Sequence, residues 1–189
     1  MPPVLETPRL RLRPYRDTDL DGLAELCADP EVMRHFPETL DRSAAAAFGE
    51  RIKAHFDRHG FGPWSVEIKG KTDYVGFVGL MVPTFETHFT PCVEVGWRLA
   101  RRHWQNGYAT EGARAVLAYG FETRGCDEIV SMTVPANKRS RAVMDRLGMT
   151  RDPADDFDHP NLPEGHVLRR HVLYRLASPR FADGQTAKG

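Results

Sequence analysis

Cysteine is scarce in this sequence. Cys27, Cys92 and Cys126 are the only three in 189 residues, and none forms a Cys-x-x-Cys pair. That excludes a disulfide scaffold and the common cysteine zinc sites, and leaves three reduced thiols of the kind cytosolic proteins bury. Excess charge is missing too, with 26 Lys and Arg against 26 Asp and Glu. A balanced chain gives no support to nucleic acid or an anionic membrane as partner. No run of 18 apolar residues occurs, so no membrane span is expected. The first residues lack the basic and long apolar regions of a signal peptide, so a cytoplasmic protein is expected. No Gly-x-x-x-x-Gly-Lys-Ser/Thr phosphate loop is present. Gly76 and Gly79 fall inside a strand pattern, not in a Gly-x-Gly-x-x-Gly run after the first strand.

What is present reads as one globular domain over residues 7–178, with a flexible tail at 179–189. The composition, 41% hydrophobic and 28% charged, is that of a folded chain. Leu10 and Leu12 alternate with arginines, giving a short strand ended by Pro14. Thr18-x-x-Asp21 resembles a capping box for a helix to about Ala28, and Pro30 can open a short second helix through Phe36. A helix over Asp41–His59, with Ala44, Ala47, Phe48, Ile52, His55 and Phe56 on one face, stops at Gly60. Strands follow at Trp64–Lys69 and Tyr74–Val82, joined by a turn over Gly70–Asp73, and then at Val93–Leu99. A helix from near Ala109, a strand at Glu128–Val134, a helix over Asn137–Leu147, a polar loop over Asp152–Gly165 and a last strand, clearest from His171, complete the chain. The order predicts a mixed α/β sandwich with one β-helix-β crossover.

The informative stretch is the loop Trp104-Gln105-Asn106-Gly107-Tyr108-Ala109-Thr110 between a strand and a helix. A glycine there lets the backbone aim several unpaired N–H groups at one point, and the helix dipole adds positive charge, so phosphate is the natural guest. Taken alone, glycine before a helix is more often an ordinary turn.

The run E-V-G-W-R-L-A-R-R-H-W-Q-N-G-Y-A-T-E-G-A-R-A at 94–115 resembles the acetyl-CoA motif of the GNAT N-acetyltransferase superfamily. That motif reads Gln/Arg-x-x-Gly-x-Gly/Ala, and here Gly107 and Ala109 fill its last two fixed places while Trp104 replaces the Gln/Arg. The replacement resembles the branch that acetylates ribosomal-protein N-termini. A second match follows at the expected distance, Asn137-Lys-Arg-Ser140-Arg-Ala-Val-Met144-Asp-Arg-Leu-Gly148-Met149.

The resemblance implies a GNAT fold of class α/β (α+β): a mixed, mostly antiparallel six- to seven-stranded sheet, splayed between the fourth and fifth strands and flanked by about four helices. It implies acetyl-CoA as donor substrate, with diphosphate on the backbone of Gln105, Asn106, Gly107, Tyr108, Ala109 and Thr110 after Trp104. The pantetheine arm would run along Trp97, Arg98 and Leu99, with Asn137, Ser140 and Met144 contributing. The reaction implied is direct attack of an amine on the thioester, without a covalent intermediate at Cys92. Glu94 is the candidate base. Many members place an acidic tyrosine where this chain has Met144, so Ser140 becomes the candidate acid. Phe36, Phe157 and His159 are candidate acceptor-site residues. His159, His166 and His171 match no familiar zinc spacing, and no metal is expected. Two other classes remain open: a catalytically idle acyl-CoA sensor on the same fold, and a purely structural interaction domain. Homodimerisation stays open as well.

Overall fold

The computed structural model describes residues 3–71 and 74–178. The tail at 179–189 and part of the Gly70–Asp73 turn, Thr72 and Asp73, lie outside the described residues. The chain forms two compact units. One holds the residues up to Met81 together with Gly96–Val116, the other Val82–Val95 together with the residues from Leu117 onward.

In the first unit, strands β1 (Leu5–Glu6), β2 (Leu10–Arg13), β3 (Pro63–Ile68) and β4 (Tyr74–Met81) pair antiparallel in sequence order. Leu10 and Leu12 stand opposite Ile68 and Val66, which places the apolar side of the Leu-Arg-Leu-Arg run in the core. Helices α1 (Leu20–Ala28) and α2 (Arg42–His59) belong to this unit. Asp41 caps α2 through a 2.7 Å bond from the Ala44 N–H, and Gly60 closes it at φ 74°.

Three local expectations need correction. Residues 30–36 form turns and not a second helix: the Asp29 carboxylate accepts from the Glu31 N–H at 2.8 Å, and Pro37 disfavours helical geometry at Phe36. No side-chain bond caps α1, so the Thr18–Asp21 box does not form. Asp19 instead lies buried beside Arg13, at 2.6 and 2.7 Å, while Arg13 Nε donates to Glu67 at 2.5 Å and Ser65 Oγ donates to Asp19 at 2.9 Å. Burial alone would push the Asp19 carboxyl up, but these donors hold it below the usual carboxylate range. On α2 the expected Ile52 and Phe56 are buried and Phe48 packs on Phe77 at 5.6 Å, but Ala47 is exposed, and Ala45 and Gly49 complete the buried stripe in its place.

β5 (Glu94–Leu99) has its last four residues in the first unit and its first two in the second. In the first unit it lies next to β4, where the Ala100 N–H donates to Val75 O at 2.8 Å. A Cβ on Gly76, at φ 133°, would sit 2.1 Å from the Arg98 carbonyl oxygen, so only glycine permits this approach.

In the second unit, β6 (Glu128–Thr133), β8 (Arg170–Ala177) and a short β7 (Phe157–Asp158) are ordered β5-β6-β8-β7. β6 and β8 pair antiparallel along six positions, from Glu128↔Ala177 to Thr133↔Val172. β5 and β6 are parallel and share the single register pair Glu94↔Val130, with the Val130 N–H on Val93 O at 2.9 Å. The expected fourth and fifth strands are here the fifth and sixth, because the two-residue β1 precedes them. Among the described residues, counting β1 and β7 gives eight strands, against the six or seven expected. α3 (Tyr108–Ala118) and α4 (Lys138–Arg146) bring the α-helices to four.

Candidate active site

The loop after β5 is built by local bonds. A 3-10 turn at Arg101–His103 is followed by Trp104, whose indole Nε1–H donates to the Leu99 carbonyl at 2.7 Å and ties the loop to the end of β5. The Asn106 side-chain amide donates to the carbonyls of His103 at 3.2 Å and Trp104 at 2.9 Å. Gln105 sits at φ 63°, the only non-glycine with positive φ among the described residues, and Gly107 sits at φ 77°. Left-handed residues interspersed in a loop turn successive N–H groups toward one side, a concavity suited to an anion.

α3 then begins at Tyr108, with its first intrahelical closure from the Glu111 N–H to Gly107 O at 3.0 Å. The amides of Tyr108, Ala109 and Thr110 precede that closure and have no carbonyl four residues back to bond. The helix is fixed from behind by Glu111, which accepts from Thr7 Oγ1 at 2.6 Å, the Arg9 N–H at 3.0 Å and Arg9 Nε at 2.6 Å. The Arg9 guanidinium lies over the Tyr108 ring at 4.7 Å, and a Cβ on Gly107 would stand 3.4 Å from Arg9 Nη2. The sequence reading missed Arg9 because the alternating arginines of β2 look like a plain solvent face.

On β5, Leu99 is buried and Trp97 half-buried. The Arg98 side chain stacks on Phe36, with Cζ 3.9 Å from the ring centroid, so the structure brings these two predicted site residues together.

In the second unit, Glu94 is half-buried, and burial pushes its carboxyl up to about 8. Burial, and then the nearby Glu94 charge, push the Cys92 thiol up to about 11, so it is neutral at physiological pH and a poor nucleophile. Asn137 caps α4: its Oδ1 accepts from the Ser140 N–H at 3.2 Å, and its Nδ2 donates to Thr133 Oγ1 at 2.9 Å and Ser140 Oγ at 3.1 Å. Both amide protons of Asn137 are therefore engaged, while the Ser140 hydroxyl, used here as an acceptor, keeps its own proton to give. Met144 is 1% exposed and fills the core beside α4.

Phe157 is in the core as well, 5% exposed and packed on Phe89 with ring centroids 4.8 Å apart, so its ring offers an acceptor little surface. His159 remains half-buried, 4.6 Å from the Phe85 ring and 5.1 Å from His171. Burial lowers the pKa of both histidines and favours neutral rings. Among the described residues no group of three or more His, Cys, Asp and Glu is placed to hold a metal, and no helix is long and apolar enough to cross a membrane.

Comparison with known proteins gives this geometry a context. The profile described as "Acetyltransferase (GNAT) domain" matches residues 9–150. The chain is 33% identical over 201 residues to the FsC-acetyl coenzyme A-N(2)-transacetylase of Aspergillus fumigatus, covering 94% of this chain and 80% of that protein. Among solved structures, an acetyltransferase from Agrobacterium tumefaciens superposes with a TM-score of 0.75 at 28% identity, over 92% of this chain and 94% of the other. Mycobacterium smegmatis RimJ, in complex with CoA-disulfide, shares the fold with a TM-score of 0.76 at 19% identity, over 98% and 94%.

Proposed function

Because the chain belongs to the GNAT acetyltransferase family, we propose that its domain over residues 7–178 binds acetyl-CoA and transfers the acetyl group to a primary amine by direct attack in a ternary complex. The observation that carries this is the loop with left-handed Gln105 and Gly107 opening onto α3, a shape made for a diphosphate. In this reading the backbone of Gln105–Thr110 holds the diphosphate, and Trp97, Arg98 and Leu99 offer backbone to the pantetheine arm. Asn137 serves through the free lone pair of its Oδ1, and Met144 through packing beneath Ser140.

The amine nitrogen attacks the thioester carbon, the C–S bond breaks, and the amine proton passes to Glu94. The Ser140 hydroxyl, or solvent, protonates the leaving thiolate. A base with pKa about 8 is matched to an α-ammonium at roughly 7.7–8.0. A lysine ammonium at roughly 10.4 would make the transfer about 3 kcal/mol uphill. This favours a protein N-terminus or another weakly basic amine as acceptor.

The test is coenzyme A release on a panel of amines. Glu94→Gln is expected to lower kcat/KM by roughly 100- to 10,000-fold. With an acceptor whose amine pKa lies well below 8, wild-type kcat/KM should rise with pH through about 8 as Glu94 ionises, and the variant should lose that limb. Unchanged turnover and pH profile in Glu94→Gln would remove it from the base role. The buried Met144, in place of an acidic tyrosine, supports a second reading as an idle acyl-CoA sensor. That reading predicts acetyl-CoA binding with no release on any amine.

A further inference from the structure

Buried charges in proteins are paired, because an isolated one is costly to strip of water. Arg13 obeys this rule through Asp19 and Glu67. Arg98 does not. Its guanidinium is packed among the rings of Phe36, Phe77 and Phe48, at 3.9, 5.3 and 5.5 Å. Its Nη1 meets the Cys27 sulfur at 3.4 Å, and its buried Nε has no hydrogen-bond partner. Burial works against its charge, and the groups that act on it are Cys27 and Tyr74, with no carboxylate among them. Arg98 lines a cleft of about 210 Å³ whose walls include Phe36, Leu40 and Phe48. Arg51 lies at the same cleft, 5.4 Å from the Phe48 ring, with Glu38 exposed at the rim. Two guanidiniums against one rim carboxylate leave the cleft positive.

We propose that this cleft is a carboxylate-recognition site in which Arg98, stacked on Phe36, receives the carboxylate of the amine acceptor, so that the preferred acceptors are amines that also carry a carboxylate. The inference rests on the acetyltransferase reading and narrows its substrate class. An arginine fork suits a carboxylate because two parallel N–H donors meet its two oxygens. The aromatic ring beneath holds the guanidinium plane without competing for those donors. Apart from Arg98, the cleft walls come from residues 33–51 and include Phe36, which the family resemblance offers for the acceptor.

The experiment uses matched pairs: free amino acids and their C-terminal amides, and ω-amino acids and the parent alkylamines. Coenzyme A release gives kcat/KM, and calorimetry gives binding to the full-length protein. The carboxylates should be preferred about tenfold or more over their partners, mainly in KM. Arg98→Met should bring that ratio close to one, and Arg98→Lys, which keeps the charge without the fork, should fall between. Succinyl-CoA in place of acetyl-CoA is the competing arm. A preference for it that Arg98→Met abolishes would assign the carboxylate to the donor and overturn the proposal. Equal use of amides and acids by the wild type, or a preference that survives Arg98→Met, would also overturn it. If no amine turns over, selective binding of the carboxylates, lost in Arg98→Met, sustains the cleft while the transferase reading fails. Absence of that selectivity sinks the cleft.

Discussion

Two helices of this protein, α3 and α4, each follow a strand through a short loop, and their first turns are finished in opposite ways. The start of α4 is closed. Asn137 takes the Ser140 N–H onto its Oδ1 and spends both amide protons on Thr133 and Ser140. The start of α3 is left open, with Gln105 and Gly107 in left-handed conformation and the Asn106 side chain turned back to the carbonyls of His103 and Trp104. A capped helix satisfies its own donors and gains stability. The first turn of α3 is held from behind by Glu111 on Thr7 and Arg9, and in the proposed function its leading N–H groups serve the diphosphate.

The contrast is open to direct attack. The largest effect is expected for Gly107→Glu, which sets a carboxylate in the anion cradle. Acetyl-CoA affinity should fall by about 100-fold, roughly 3 kcal/mol, as read by calorimetric titration. Gly125→Glu is its control. Gly125 also has positive φ, 65°, and a Cβ there meets nothing within 4 Å. Both variants carry the left-handed penalty of about 1 kcal/mol, but the control should change acetyl-CoA affinity by less than about threefold. Equal losses in the two would mean that backbone strain, not the cradle, sets affinity.

Asn137→Ala comes next. Removing a helix cap costs about 1 kcal/mol of stability, visible as a lower midpoint in urea, with a rise in the KM for acetyl-CoA well below the effect of Gly107→Glu. If KM rises as steeply as in that variant, α4 is no mere closed helix. The smallest effect is expected for Trp104→Phe, which keeps a ring but loses the indole bond to Leu99 O. A net loss of about 1 kcal/mol should appear as roughly fivefold weaker acetyl-CoA binding, with little change in kcat.

Much of the candidate site could be read along the chain because it is local. The 105–110 loop, its glycine and the helix after it fall within a dozen residues, and so do Asn137 and Ser140 at the start of α4. The misreadings at Phe157 and on α2 share another cause. Phe157 looks like an exposed aromatic in a polar loop, but residues 85–92 supply Phe85 and Phe89 to cover it. On α2, Ala44, Ala45 and Ala47 are nearly equivalent in pattern, so which alanine is buried falls to its neighbours in the packed unit. The short helix at 30–36 lost to an aspartate bonding its own backbone and to the following proline.

The sequence by itself determined the order of the main strands and helices, the glycine loop before α3 and the family, because periodicity, turn residues and short motifs are written in adjacent positions. Only the tertiary structure decided which charges find partners. Arg13 meets Asp19 and Glu67, whereas Arg98 meets Phe36, Phe48 and Cys27, residues 50 to 71 positions away in the chain. The two arginines sit in similar strand patterns. What separates them is the environment that folding builds around each, since the cost of an unpaired charge depends on the water it has lost.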